Sequence, residues 1–584
     1  MRIRRTTALL AGGVALAMAA AACGSTNNNG TGNNGAQTQA HGQIVYAESA
    51  DSFENMMPLI TAGNITSTAN LEIQIFPRPY RIWPDLNYHA DLNYLAAEPK
   101  TDTVAGKFTV TYQINDKAVW SDGTPMTWKD FEFTWRIQKS TDPKAGGCDA
   151  ILSTTGFDQI ESVKKGDTDK IAVVSYSKPF VDWQSVFLPT FPAHLMDQAD
   201  PVKNCDYIKK GWPTQGGFPS EVTGGPWQLL TKNINFAQKT FVLTPNPKWW
   251  GPATGLTRII YRNLGSDAGV LTKALQADEI QVIYPQPQLD LVTQVRNLQP
   301  KVTSGITFGL SFEHIDMNTK NPHLAKPEVR KAIALALDRK DLVQRTVGQF
   351  DSRANVLNNR FYVTNQSQYK DNSGGAYDKP DVAAADKLLE GVGYKKGSDG
   401  IYALNGQRLS LEIMTTVNNK LRENTIDIIT AQEKAAGIEI KKSLNKNIFA
   451  DKGTDKHSLD GGKFDIALFA WVSSPAVSGN TPIYQSVKGG AVQQNYVQGN
   501  DPKVDDLLGQ LAVSTEPTKT ADLANQVDAQ LWTDMFTLPL YQKPTFIGAS
   551  SAYKPYNKDD QTGLGDNASQ DGILWNSSTW TLKQ

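Results

Sequence analysis

Cysteine is scarce in this chain, with three residues in 584. A disulfide-dense scaffold is therefore excluded. The six histidines are His41, His89, His194, His314, His323 and His457. None pairs with another four residues away, and no cysteine stands near them at zinc-finger spacing. An excess of charge of one sign is also missing. Lys plus Arg number 58 and Asp plus Glu 59, a formal charge of −1, so the basic surplus of a dedicated nucleic-acid binder is absent. After the N-terminal region the longest apolar run is Ile466 to Val472, seven residues. That is far short of the roughly 20 needed to cross a bilayer. The chain has no GxxxxGK[ST] phosphate loop, no GxSxG elbow and no HExxH helix. Adjacent acids such as Asp505 and Asp506, or Asp559 and Asp560, read as solvated surface. Catalytic residues, metal ligands and cofactors are accordingly assigned to none, and the chain is expected not to be an enzyme. An exported hydrolase whose members lie far apart in sequence is the weakest alternative.

What is present is enough for a large core: 40% of residues are hydrophobic and 20% charged, which excludes global disorder. Thirteen Trp, nineteen Tyr and twenty-one Phe suit either core packing or an aromatic-lined cleft. The N-terminus reads as an export signal, residues 1–22. Arg2, Arg4 and Arg5 precede fifteen uncharged residues, Ala8 to Ala22, the length of a signal h-region. Small residues then lead to Cys23, as in a lipobox, although Ala20 stands where Leu is usual. Cys23 is the expected lipidation site; ordinary signal cleavage nearby is the alternative. Residues 24–41 contain no Lys, Arg, Asp or Glu. They form a tether with a reach on the order of 25 Å. A diacylated Cys23 on such a tether would hold the body at the membrane. Export also places Cys148 and Cys205 in an oxidising compartment. They are either a disulfide, contributing roughly 4 kcal/mol by closing their loop, or two buried thiols.

The body alternates strand and helix patterns, which implies mixed α/β domains. Phe108, Val110, Tyr112 and Ile114 alternate with polar residues, as in a half-buried strand. Thr127 and Asp130 form a capping-box pattern before Phe131, Trp135 and Ile137. Ile171, Val173 and Val174 suggest another strand. Residues 326–345 place Val329, Ala332, Ile333, Ala336, Leu337 and Val343 on one helical face. Helices are also expected over Asp381–Val392 and Arg422–Ala436. Ile438–Leu444 reads as a strand, and Phe464–Trp471 as a buried central one.

The segment Phe108–Trp135 resembles the signature region of family 5 extracellular solute-binding proteins, the oligopeptide-, dipeptide- and nickel-binding receptors of ABC importers. Its centre is Val119-Trp120-Ser121-Asp122-Gly123-Thr124-Pro125, followed by Thr127 and Asp130. Six further blocks resemble the family in the same order: Leu188–Met196, Thr223–Leu230, Asn246–Arg262, Asp267–Val282, Asp316–Lys340 and Leu538–Gln542. Ser-Asp-Gly-Thr-Pro is physically a tight turn, so it marks the fold and not a ligand contact.

The resemblance implies an α/β, two-lobe, periplasmic-binding-protein-like fold of type II, with three subdomains and a hinged ligand cleft. The first lobe would comprise residues 42–305 plus 546–584, with an inserted subdomain near 85–221. The second lobe would be 306–545. It also implies a monomeric, extracytoplasmic lipoprotein that binds a peptide or peptide-like ligand, contacts ABC permease subunits and meets the membrane through its lipid. In peptide-binding relatives a Trp-x-x-Asp block pairs its acid with the peptide's amine. Here the block reads Ala470-Trp471-Val472-Ser473-Ser474, so Ser474 replaces the acid. A buried ammonium without a counter-charge is costly. Another acid must supply the charge, or the ligand lacks a free amine. Candidate ligand-binding residues are Trp471, Ser473, Ser474, Ala470, Asn64 and Tyr541, while Asp465 and Asn318 are expected to be structural. The alternative function is a receptor-fold lipoprotein that regulates envelope glycolipid synthesis.

Overall fold

Two long strands run the length of the central sheet, and both are mostly buried: Val302–Met317 and Thr537–Ser550. The computed structural model describes residues 42–48, 55–60, 63, 66–212, 221–235, 237–238, 240–450, 455–471, 473–487 and 494–583. Cys23 and Asn64 lie outside the described residues.

The two long strands pair antiparallel, Val302–Phe308 against Ser550–Pro544 and Phe312–Asp316 against Gln542–Thr537. At one end Val282–Ile283 joins Ala549 and Gly548, and the sheet continues through Gln43–Glu48, Arg258–Asn263, Thr240–Pro245 and Trp227–Asn235. At the other end Ile466–Trp471 pairs with Met317–Phe312, followed by Ser410–Thr415 and Glu439–Leu444. The same two strands thus serve both halves of one ten-stranded sheet. Their ladder is interrupted between Phe308 and Phe312. Gly309 sits in that gap, where a Cβ would lie 1.8 Å from the Ala568 carbonyl oxygen. Only glycine allows so close a backbone approach.

Two large cores pack on these strands, and the second takes residues from both sides of the interruption, Val302 and Ile306 as well as Ile315 and Met317. The first gathers Ile44, Tyr46, Trp120, Phe131, Phe187, Trp227, Tyr261 and Trp580. The second gathers Ile315, Ile333, Leu411, Ile429, Leu468, Trp532 and Leu538. Helices Ala268–Gln276 and Leu289–Arg296 pack into the second cluster through Leu271, Leu275, Leu291 and Val295.

A separate four-stranded sheet, ordered Lys100–Val104, Lys107–Gln113, Ile171–Tyr176, Ile160–Lys165, carries the signature motif. Helix Trp128–Gln138 starts with a capping box: Lys129 N donates to Thr127 Oγ1, and Thr127 N donates to Asp130 Oδ2. Asp130 Oδ1 also accepts from Ala193 N at 2.9 Å. His194 Nε2 lies 2.8 Å from Asp122 Oδ2. The Ser-Asp-Gly-Thr-Pro turn and the later Pro-Ala-His block are therefore one structural unit. Cys148 and Cys205, both buried, are joined by a disulfide that ties helix Pro201–Lys210 to the loop after helix Trp128–Gln138.

One expected element is corrected. Residues 326–345 form two helices, Pro327–Ala336 and Arg339–Arg345, because Leu337 is extended. The break frees Asp338 N to donate to Gln432 Oε1 at 2.8 Å, and the Asp338 side chain caps Asp341 N. It also turns Arg339 inward, where its guanidinium donates to the carbonyls of Leu357, Pro539 and Tyr377. Helices Val382–Gly391 and Lys420–Ala435 are capped by Asp381 and Asn419. Asp465 accepts from Asn321 Nδ2 and Glu412 N, and Asn318 Nδ2 donates to the carbonyls of Gly462 and Phe464. Both residues hold loops in place.

The second core contains a wholly buried ion pair, Arg360 Nη1 to Asp528 Oδ1 at 2.8 Å. Arg360 also donates to Thr537 Oγ1 and O, and lies over the Trp532 ring. Removing one partner leaves an uncompensated buried charge, so Asp528→Ala is expected to lower unfolding free energy by about 3–5 kcal/mol. Urea denaturation checks this.

Candidate functional site

The central strand Ile466–Trp471 runs out of the sheet at Trp471, which pairs with Phe312. Strand alternation puts Phe312, His314, Phe469 and Trp471 on one face. The Trp471 ring stacks on His314 with centroids 5.8 Å apart and planes 12° apart. On its other neighbour, Tyr496, the spacing is 5.9 Å and the angle 7°. Phe469 meets its edge at 5.1 Å. Phe449, 56% exposed, approaches Phe469 from the rim. The result is a half-open aromatic wall.

Polar atoms in this wall are unsatisfied. Trp471 Nε1 is buried without a hydrogen-bond partner. So are both ring nitrogens of His314, whose nearest carboxylate atom, Asp316 Oδ1, is 3.3 Å from Nε2 but outside hydrogen-bond geometry. A buried donor left unmade costs roughly 1–3 kcal/mol. Trp471 itself is partly exposed, and its buried indole N–H lacks an acceptor among the described residues.

Ser473 and Ser474 follow directly and are half-buried. Ser474 Oγ accepts from Ala476 N at 3.3 Å. Tyr88 lies close by, and Ser474 acts to lower the pKa of its hydroxyl. Burial, reinforced by the Asp182 charge, raises the Tyr88 hydroxyl well out of its ordinary range, so it stays a neutral donor.

The segment around Val181, and Leu86, meet the later part of the chain at three further points. Asp182 Oδ2 accepts from Ser478 N at 2.5 Å. Val181 N donates to Ala512 O at 3.1 Å. Leu86 packs with Leu310, Phe312, Leu357 and Val363, with Trp471 against the cluster. Burial pushes the Asp182 carboxyl up to about 6, while the hydrogen bonds from Ser478 and Val477 work in the opposite direction.

The structure brings Ala470, Trp471, Ser473 and Ser474 together at one strand end. Tyr541 shares a sheet row with Ala470, because both pair with Glu313, but it is fully buried in the second core. Glu313 and Arg422 form a bidentate pair beside it, 3.0 Å apart. Burial raises the Glu313 carboxyl, but the charges of Arg422 and Lys543 outweigh it and leave it below its usual value. Among the described residues, one group of Cys, His, Asp and Glu atoms is tight enough for a metal: Cys148, Asp149 and Cys205. Its two sulfurs are already joined to each other. No helix among the described residues is long and apolar enough to cross a membrane.

Sequence reasoning missed His314, Tyr496, Tyr88 and Asp182. The Phe312/His314 alternation signals a shared face. Nothing local marks Tyr88 or Asp182, since their partners lie hundreds of residues away.

The family model for bacterial extracellular solute-binding proteins, family 5, matches residues 92–492, more than half of the chain. The chain belongs to this family. Its members are binding proteins, and the two cores, shared strands and intervening contacts are the architecture expected of one. The oligopeptide-binding protein OppA of Mycobacterium bovis is 28% identical over 508 residues, covering 86% of this chain and 80% of the relative. The periplasmic EDTA-binding protein EppA superposes with a TM-score of 0.82 at 24% identity, over 93% of this chain and 97% of EppA. The oligopeptide-binding protein AppA of Bacillus subtilis, solved with a nonapeptide, gives 0.73 at 17% identity, over 93% and 99%. These superpositions establish the two-lobe α/β fold of a family 5 solute-binding protein.

Closure in a family 5 protein is governed by what the lobes gain on meeting. Hydrogen bonds to a charged group contribute roughly 1.5–3 kcal/mol. Asp182→Ala is therefore expected to weaken ligand affinity at least tenfold while leaving each core intact. Calorimetric titration alongside a thermal melt checks both.

Proposed function

We propose that the chain is an extracytoplasmic substrate-binding lipoprotein that captures peptides or peptide-like solutes and delivers them to an ABC importer permease. The observation that carries this reading is the aromatic wall at Trp471, with its unpartnered indole N–H beside the contacts between the lobes. An extended peptide offers carbonyls for such a donor and side chains for such a wall, the pattern of β-augmentation with side-chain pockets. The relative named as an oligopeptide-binding protein and the neighbour solved with a nonapeptide support the same class.

The lobes are taken as residues 42–305 with 546–584, and 306–545, hinged at the interrupted ladder around Gly309. Trp471, Ala470, Ser473 and Ser474 line the ligand side of the second lobe, and Asn64 and Tyr541 complete the proposed set. The protein acts as a monomer without catalysis, held to the membrane by lipid on Cys23. The permease reads the closed state, which ligand favours through contacts the open state lacks.

Native mass spectrometry of protein purified from its host is expected to show a co-purified peptide mixture. A bound glycolipid instead would favour the regulatory alternative. Trp471→Ala should weaken peptide binding by roughly tenfold or more, the range of aromatic contacts at binding sites; unchanged affinity by calorimetry would remove Trp471 from the site. Cys23→Ser should move the protein from the membrane to the soluble fraction, and continued membrane association would reject the anchor.

A further inference from the structure

A cavity is enclosed by elements of the first lobe, near Tyr88, on whose hydroxyl the charges of Asp571 and Arg78 act. It has a volume of about 210 Å³ and is lined in part by Leu59, Glu72, Arg78, Pro189, Gln570 and Asp571. These residues come from helix Thr66–Ile75, the segments on either side of it, the Pro189 turn and the C-terminal region. The volume is below the roughly 300–1,000 Å³ of pockets that hold a whole drug-sized ligand. It suits an end group or a single small residue.

Its polar lining is incompletely paired. Glu72 is 2% exposed, and its Oε1 has no hydrogen-bond partner. Arg78 is 7% exposed, and its Nε is likewise unpartnered. Asp571 is already engaged: Oδ2 accepts from Ile82 N at 2.7 Å, and Oδ1 is 3.4 Å from Arg78 Nη1. The nearby Arg81 is committed to Asp91 at 2.7 Å. Among the described residues the one cation lining the cavity, Arg78, is therefore claimed by Asp571, and Glu72 has no counter-charge of its own. Burial accordingly drives the Glu72 carboxyl well above its ordinary range, with Arg78 opposing.

Charge balance selects the occupant. With Glu72 ionised, Glu72, Arg78 and Asp571 sum to one negative charge. A cationic guest makes the buried set neutral, and an anionic guest leaves it charged whichever form Glu72 takes. Buried charge is tolerated only when paired. The unpartnered Arg78 Nε additionally calls for an acceptor. We infer that this cavity binds an ammonium group that carries a neighbouring carbonyl, with Glu72 facing the ammonium and Arg78 Nε the carbonyl oxygen. That is the chemistry of the amino end of a peptide. This inference rests on the peptide-binding reading and supplies the acid that Ser474 lacks.

Two measurements on the full-length protein test it. The first uses alaninamide, which has the ammonium and carbonyl and nothing else, against N-acetylalanine, which has a carboxylate and no amine. Alaninamide at millimolar concentration should raise the melting temperature of the unaltered protein and not that of Glu72→Gln, an isosteric variant. N-acetylalanine should leave both unchanged. Absence of any alaninamide effect on the unaltered protein, or stabilisation by N-acetylalanine instead, overturns the inference without need of a variant. The second uses a randomised nonapeptide pool with free amines and the same pool N-acetylated, read by native mass spectrometry. The unaltered protein should retain the free-amine pool at least tenfold better, and Glu72→Gln should lose that preference. Equal preference in both proteins overturns the inference while leaving peptide binding standing. Retention of neither pool, together with a positive alaninamide shift, defeats the peptide reading and leaves the ammonium site.

Discussion

Everything in this molecule hangs on one pair of antiparallel strands that both halves share. Val302–Met317 and Thr537–Ser550 are the only elements of the ten-stranded sheet that pair with neighbours from both ends of it among the described residues. The second core draws on both ends of the pair, Val302 and Ile306 as well as Ile315 and Met317, and the first takes Ile547 and Ala549. Between the ends the ladder lapses from Phe308 to Phe312, where Gly309 presses against Ala568. A packed core is stiff because its side chains interlock; a stretch of strand without ladder bonds is not. The wholly buried Arg360–Asp528 pair, the inward-facing Arg339 and the capping box at Thr127 fix the structure away from that gap.

The binding surface follows from where the strands end. Trp471 is the last residue of a buried strand, so one side of its ring packs on His314 and the other elements of the wall while its indole nitrogen finds no partner. Around it Asp182 meets Ser478, Val181 meets Ala512, and Leu86 packs on Leu310, Phe312, Leu357 and Val363. The cavity at Glu72 lies in the first lobe, where buried acid and base are held by one lobe's own elements. A charge there is pre-positioned whatever the lobes are doing.

Much of the local structure was legible from residue order. Thr127 and Asp130 announce a helix start, and they make it. The alternation from Phe108 to Ile114 and the apolar run ending at Trp471 become the strands they suggest. The helix over 326–345 was legible only in part. Its apolar face continues through Leu337, but Arg339 has distant carbonyls to satisfy, and the chain breaks to reach them. Tyr541 shows the same limit. Its place in a recognisable Pro-Leu-Tyr block says which strand it belongs to, not that the Glu313–Arg422 pair seals it inside the second core.

By itself the order of residues determined the α/β class, the motif blocks that mark the family, the pairing candidates Cys148 and Cys205, and the absence of an acid at Ser474. These depend on neighbours within a few turns of chain or on which residue occupies a known slot. Only the tertiary structure decided what stands opposite that slot. Tyr88 meets Ser474 and Asp182 meets Ser478 across almost three hundred residues or more, and Asp571 reaches Arg78 from the far end of the chain. Unsatisfied charge is a property of a place, not of a sequence. Glu72 becomes a candidate partner for a ligand only because folding buries it beside an arginine that Asp571 has already claimed.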